Sequence, residues 1–339
     1  MNRTRAQTIF TTVFAMSLLA GAGGALSQDQ TFYKGKTVRL MVGFSAGGEY
    51  DLQARLVARH LARHIPGVPT IIAENMVGAG GLTMANYLYT VAAQDGTALG
   101  AMTNTLQLQQ ASHLPGVNYD AAQFKWVGAL SPTVETLAVW RSSKVRSIEQ
   151  ARKEEVVIGA VGRGGITYTF PAMLNEFAGT KFKIINGYPG GNDVNLAMQR
   201  GEVEGRNNTL SSWRATKPEW LANGDLHILV YGGTTDQLPG VPSAEDLAQS
   251  ADEKAVISFL MSGARIGRPI AAAPKTPADR TAMLRSAFNQ LATDAEFLKE
   301  AAALHVEVKI VPGLEIQSII QQALSASPEV IAKAKPLLN

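Results

Sequence analysis

Short apolar runs that end at glycine recur along this chain, separated by stretches with apolar residues at three- and four-residue spacing. Val38-Arg39-Leu40-Met41-Val42 stops at Gly43 and predicts a strand. Residues 49–65 predict a helix, with Leu52, Leu56, Leu61 and Ile65 on one face. Arg55, Arg59 and Arg63 form an i,i+4 stripe on another face, which reads as a solvated surface. Residues 70–73 predict a second strand, 82–91 a second helix and 98–102 a third strand. This β-α-β-α-β order predicts parallel pairing through right-handed crossovers.

Residues 124–141 carry two strand-like runs, 126–130 and 136–140, around a short polar break. They predict a long kinked strand passing from one domain to another. Ser147 and Gln150 form a capping box that opens a short helix. A strand over 156–161 and a helix over 167–178 follow, with Pro171 compatible only with the first turn. A strand over 183–187 precedes a helix over 193–200 closed by Gly201, and 226–231 predicts another strand. Pro277 and Asp279 start a helix running through Leu284, Phe288, Leu291 and Phe297. A strand near 306–311 and closing helices complete the chain.

The length of 339 residues suggests two domains, and 46% hydrophobic with 17% charged residues excludes a disordered chain. The formal charge of +3 does not argue for nucleic acid. The absence of cysteine excludes disulfides, thiolate metal sites, iron–sulfur clusters, a cysteine nucleophile and a lipid-anchored cysteine. Arg3 and Arg5, an apolar stretch over 9–20, and small residues at Ala25 and Ser27 predict a signal peptide over 1–27, with Gln28 as the mature start. Losing Arg3 and Arg5 with no acid brings the charge from +3 to +1. The expectation is an exported soluble protein, and nothing in the sequence calls for more than a monomer.

Four strand-to-helix junctions are rich in glycine: 43–48, 78–81, 162–165 and 187–191. Glycine lets a ligand approach the backbone, and the helix behind it presents free N–H groups and a positive dipole end. Two junctions lie in each half, an arrangement that a cleft closing over a carboxylate would use, the alternative being that these glycines only make tight turns. Enzyme signals compete with this reading. Gly43-Phe44-Ser45-Ala46-Gly47 matches the G-x-S-x-G elbow of serine hydrolases, with His113, His227 or His305 as the histidine. The elbow sits on the first mature strand, however, and no His-Gly-Gly motif supplies an oxyanion hole. His60 and His64 have the spacing of helical metal ligands, but the acid of H-E-x-x-H is missing and Arg59 and Arg63 would repel a cation. Gly162-Arg163-Gly164-Gly165-Ile166-Thr167 fails the dinucleotide fingerprint at its last position.

Several of these segments together resemble one family. VRLMVGFSAGGEYD over 38–51 is similar to its first strand and P-G-G-x-x-D-like loop. Glu74-Asn75-Met76-Val77-Gly78-Ala79-Gly80-Gly81 resembles its E-N-x-x-G-A-G-G signature. Asp95-Gly96-Thr97 and Leu238-Pro239-Gly240-Val241-Pro242-Ser243 resemble two further elements. The chain thus resembles the Bug-type (TctC-type) periplasmic solute-binding proteins of tripartite tricarboxylate transporters. The resemblance implies a type II periplasmic-binding-protein (Venus flytrap) fold of two α/β domains joined by crossing strands. Domain I is expected over 28–130 plus 255–339 and domain II over 131–254. It implies a periplasmic receptor, not an enzyme, that takes no cofactor or metal, captures an organic carboxylate and delivers it to transporter membrane subunits. A receptor that signals without transport would need the same clamshell.

By position, the resemblance places the ligand on Ser45, Ala46, Gly47, Gly48 and Asp51, then on Ala79, Gly80 and Gly81. In domain II the expected contacts are Arg163, Gly164, Gly165, Thr167 and Asn208. Asn208 stands where many members carry Asp, which removes a partner for an ammonium group. Arg163, between glycines at a strand end, is expected to meet a second anionic group and so to favour a dicarboxylate, with Arg206 the next basic residue to consider.

Overall fold

The computed structural model describes residues 31–233 and 235–338, so the expected signal peptide lies outside the described residues. The first lobe begins with β1 (Thr37–Val42), α1 (Glu49–Leu61), β2 (Thr70–Asn75), α2 (Leu82–Thr90), β3 (Ala98–Ala101), α3 (Leu106–Ala111) and β4 (Lys125–Ala129). The second lobe holds β5 (Glu135–Trp140), α4 (Ile148–Ala151), β6 (Val156–Gly159), α5 (Ile166–Ala178), β7 (Phe182–Ile185), α6 (Gly191–Arg200) and β8 (Gly205–Thr209). It continues with α7 (Leu210–Thr216), α8 (Pro218–Ala222), β9 (Leu226–Gly232), α9 (Ala251–Leu260) and α10 (Ser262–Ile266). The chain then returns through β10 (Ile270–Ala272), α11 (Ala278–Gln290), α12 (Ala295–Ala303), β11 (Val311–Pro312), α13 (Gly313–Leu324) and α14 (Pro328–Leu338).

Strand β1 pairs in parallel with both β2 and β3, as the β-α-β-α-β pattern predicts. The first sheet runs β11-β4-β10-β3-β1-β2 and the second β7-β6-β8-β5-β9. Alternation along β1 sends Leu40 and Val42 to one layer with Leu56, Leu61 and Phe288, and Met41 to the other with Met84, Leu88 and Trp126. The two strand-like runs around 131–134 fall in different sheets, so the chain crosses between lobes there. It crosses back between α10 and β10. The two crossings touch: Thr133 N–H donates to Ala264 O at 2.7 Å, and a Cβ on Gly267 (φ +76°) would lie 1.9 Å from Ser131 O.

Several expectations change or gain detail. The arginine stripe along and just past α1 is solvent-exposed as expected, with Arg59 and Arg63 at the surface, and it also forms an ion-pair seam. Arg59 and His60 meet Glu300 at 2.5 Å each, while Arg63 and His64 meet Asp294 at 2.5 and 2.6 Å. Asp294 also caps α12, accepting from Glu296 and Phe297 N–H at 3.0 Å, which breaks the single long helix read over 277–297. Pro171 lies in the second turn of α5. The strand near 306–311 shrinks to Val311–Pro312. A boundary at 254/255 would cut α9, whose Val256, Ile257 and Leu260 join the second-lobe core with Phe170 and Leu174. Ala334, Leu337 and Leu338 of α14 join the same core. No helix among the described residues is long and apolar enough to cross a membrane.

Candidate functional site

The glycine-rich loops after β1, β2, β6 and β7 meet between the lobes, at the carboxyl ends of parallel strands. A Cβ on Gly162 would lie 3.0 Å from Gly80 N, so these backbones approach as only glycines allow. Ser45 Oγ donates to Asp193 Oδ2 at 2.6 Å across the same gap. The lobes are therefore in contact, as in a closed clamshell. Gly190 holds the second contact: its Cβ would lie 2.1 Å from Ser45 Oγ. Its φ of −169° is ordinary extended backbone, so Gly190→Val is expected to leave thermal stability nearly unchanged while obstructing closure. A tenfold or greater loss of ligand affinity (about 1.4 kcal/mol) is expected by calorimetry. Unchanged affinity would contradict closure through this contact.

Between the lobes lies a cavity of about 60 Å³, counted as room for the centre of a water molecule. Its apolar wall includes Phe44, Tyr50, Val161 and Ile166. The first turns of α5 (Gly165, Ile166, Thr167) and α6 (Gly191, Asn192) line it. Their leading amides have no intrahelical acceptor. Strand β8 supplies Arg206 and Asn208, which alternation places on one face.

Arg206 is only 4% exposed and, among the described residues, donates to neutral acceptors alone. Nε donates to Asn207 O at 2.9 Å, Nη1 to Asn195 Oδ1 at 2.9 Å and to Gly191 O, and Nη2 to Asn208 Oδ1 at 3.2 Å. Four of its five N–H groups are thus used and one Nη2–H remains. Asn208 Nδ2, also buried, has no acceptor among the described residues. Burial, and then Arg268, pull the Arg206 pKa down to about 9, which still leaves it protonated at neutral pH. A buried cation without a hydrogen-bonded anion, beside an unused donor, is poised for an anion.

A second arginine is already neutralised. Arg268, just before β10, donates to Glu49 Oε2 through Nε at 3.0 Å and Nη2 at 2.7 Å. Glu49 opens α1 and also accepts from Thr209 and Ser211 hydroxyls at 2.7 Å and from Gln53 at 3.1 Å. Thr209 and Ser211 belong to the second lobe, so this carboxylate ties the lobes together. Burial raises the Glu49 pKa, but Arg268, Ser211 and Thr209 overcome it and hold the carboxyl below its ordinary range. Nearby Glu135, fully buried, is pushed up by burial, with Arg268 opposing.

The structure divides the sequence-expected residues. Gly48, Gly80, Gly165, Thr167 and Asn208 line the cavity. Ser45 faces Asp193 instead, and Ala46 is exposed. Gly47 N–H donates to Asp51 Oδ2 at 3.1 Å, while Asp51 Oδ1 accepts from Arg55 at 2.9 Å and Asn75 at 2.9 Å. The Gly47 amide and the Asp51 carboxylate therefore hold the loop. Ala79 adopts φ +46°, and Gly81 packs under Phe44 and Thr103. Gly164 turns away, its carbonyl accepting from Gln109 at 3.2 Å. Arg163 is exposed with its guanidinium 5.6 Å from the Tyr168 ring centre and does not line the cavity. Ser45 lacks the strained positive φ of a nucleophile elbow. Glu49, Arg268 and Asn195 were not expected from the sequence; a lone arginine in Ile266-Gly267-Arg268-Pro269-Ile270 is the one local signal.

No family model matches the chain. A protein of Cupriavidus necator, described as a UPF0065 protein in the gbd 5' region, is 25% identical over 228 residues. That match covers 62% of this chain and 64% of the relative, less than two thirds of its length. Among solved structures, the periplasmic binding protein BugD is 17% identical with a TM-score of 0.72, covering 90% of this chain and 98% of its own. MatC from Rhodopseudomonas palustris, solved with malate, is 19% identical at TM-score 0.70, covering 90% and 99%. A second R. palustris protein, solved with adipate, is 19% identical at TM-score 0.69, covering 89% and 97%. The chain thus has the periplasmic-binding-protein fold of two α/β lobes around a cleft. Within that class, the fold is the one found in the Bug- and TctC-type proteins, as the sequence motifs implied.

Proposed function

We propose that this protein is an extracytoplasmic receptor, periplasmic and monomeric, that closes on an organic carboxylate and delivers it to the membrane subunits of a tripartite tricarboxylate transporter. One lobe comprises the chain up to residue 130 with the return from β10, the other the segment from 131 through α10 with α14 packed on it. The observation carrying the reading is Arg206, a buried cation on the cleft with only neutral acceptors, one N–H to spare and the unused Asn208 Nδ2 beside it. This reading puts the carboxylate chiefly on the second lobe, because Asp51 occupies the Gly47 amide of the first. The chemistry is recognition, and closure is a hinge motion about the two crossings. Malate and adipate in structural neighbours are consistent with this ligand class.

A thermal-shift screen of mono-, di- and tricarboxylates, aromatic acids included, tests the proposal. An acid at 100 times its Kd is expected to raise stability by about 2.7 kcal/mol. No shift with any carboxylate, together with esterase activity lost in Ser45→Ala, would overturn it in favour of a hydrolase.

A further inference from the structure

Charge in the cleft is nearly balanced before any ligand enters. Arg268 is consumed by Glu49, with two hydrogen bonds to Oε2, and a second carboxyl group, Glu135, lies buried beside them, accepting from Asn207 at 3.1 Å. Arg206 is the one cation on the cavity wall with no carboxylate hydrogen-bonded to it among the described residues. Arg163, which would have received a second anionic group, stands in solvent against Tyr168. The first turn of α6 carries its own acid, Asp193, already bonded to Ser45. The N-termini of α5 and α6 and the Arg206 guanidinium line one cavity and serve a single anion. The opposite wall is apolar, with the Phe44 and Tyr50 rings stacked at 4.2 Å and Val161 and Ile166 nearby.

Resting on the carboxylate-receptor reading above, we infer that the ligand is a small monocarboxylate, its one carboxylate on Arg206 and Asn208 and its uncharged body against Phe44, Tyr50, Val161 and Ile166. A second carboxylate would enter a cavity walled by Glu49, with Glu135 buried behind it, and would find no unpaired cation left on the wall to receive it, which is the costly case of an unpaired buried charge. Glu49 on the wall, with Glu135 behind it, therefore acts as a filter against dicarboxylates: Glu49 already takes up Arg268, so a second carboxylate finds no free cation there. The expectation of a dicarboxylate drawn from Arg163 is reversed.

The test is calorimetry with length-matched pairs: propionate against malonate, butyrate against succinate, hexanoate against adipate. The monocarboxylate of the best-binding pair is expected to bind at least tenfold tighter. Equal or tighter dicarboxylate binding overturns the inference while leaving the receptor reading intact; no binding by any acid in the wider carboxylate screen overturns the receptor reading itself. Glu49→Gln and Glu135→Gln, titrated with the same pair, are expected to shift the preference toward the dicarboxylate by tenfold or more. An unchanged preference in both folded variants contradicts the filter. Where a variant does not fold, the wild-type ratio alone decides.

Discussion

Arg206→Met is expected to abolish carboxylate binding while leaving the unliganded protein as stable as the parent or more so. The affinity loss is on the order of 30-fold or more, corresponding to about 2–5 kcal/mol for a buried, ligand-paired charge. The stability half of the expectation follows from the partners. Arg206 is buried to 4% exposure, its acceptors are neutral, and burial with Arg268 nearby already lowers its pKa to about 9. Removing such a charge relieves desolvation and offsets the cost, about 1–3 kcal/mol each, of acceptors left unpaired at Asn195 and Asn208. Methionine fills a similar volume without a charge. Titration calorimetry and a melting curve on the same preparation separate the two effects. Retained affinity with a collapsed melting temperature would make Arg206 a scaffold residue.

Arg268→Ala is expected to do the opposite, lowering folding stability by about 3–5 kcal/mol, because it strands the Glu49 carboxylate in the interior. The two side chains are 7% and 3% exposed, so solvent does little to screen the loss. The deficit has a defined pH dependence. The Glu49 carboxyl in the folded protein lies below its ordinary range, held there by Arg268, Ser211 and Thr209 against burial. Its contribution is present above the unfolded value, near pH 4.3, and fades as pH falls through the folded value. Denaturant titrations of parent and variant should therefore differ most at neutral pH and converge in acid. A gap that widens on acidification would contradict the assignment.

The frame of the fold was legible because it rests on local periodicity. The strand at 38–42, the parallel pairing of the first three strands and the glycine-rich junctions all follow from spacing within 20 residues or so. What required the folded chain was pairing at a distance. Arg59 and Arg63 do form a wet stripe, but nothing nearby in sequence shows that α12 and its cap, more than 200 residues away, bring Glu300 and Asp294 against them. Glu49 and Arg268 are 219 residues apart, and neither has a local pattern pointing to the other. Asp51 is named as a ligand contact by its position in the family-like loop; the turn in addition closes Gly47 N–H onto Asp51 itself, which no sequence pattern shows. Strand β8 did carry a signal. Arg206-Asn207-Asn208-Thr209 is polar throughout, yet β8 lies between β6 and β5 with every residue buried. A central strand built from residues that normally stay at the surface marks a site rather than a core.

The most direct measurement is a crystal structure of the protein with its tightest-binding carboxylate. The account predicts the ligand carboxylate within about 3 Å of Arg206 Nη2 and Asn208 Nδ2, with the Glu49–Arg268 pair intact. A carboxylate seated instead on the amides of residues 46–48, with Arg206 bonded only to its neutral partners, would contradict it.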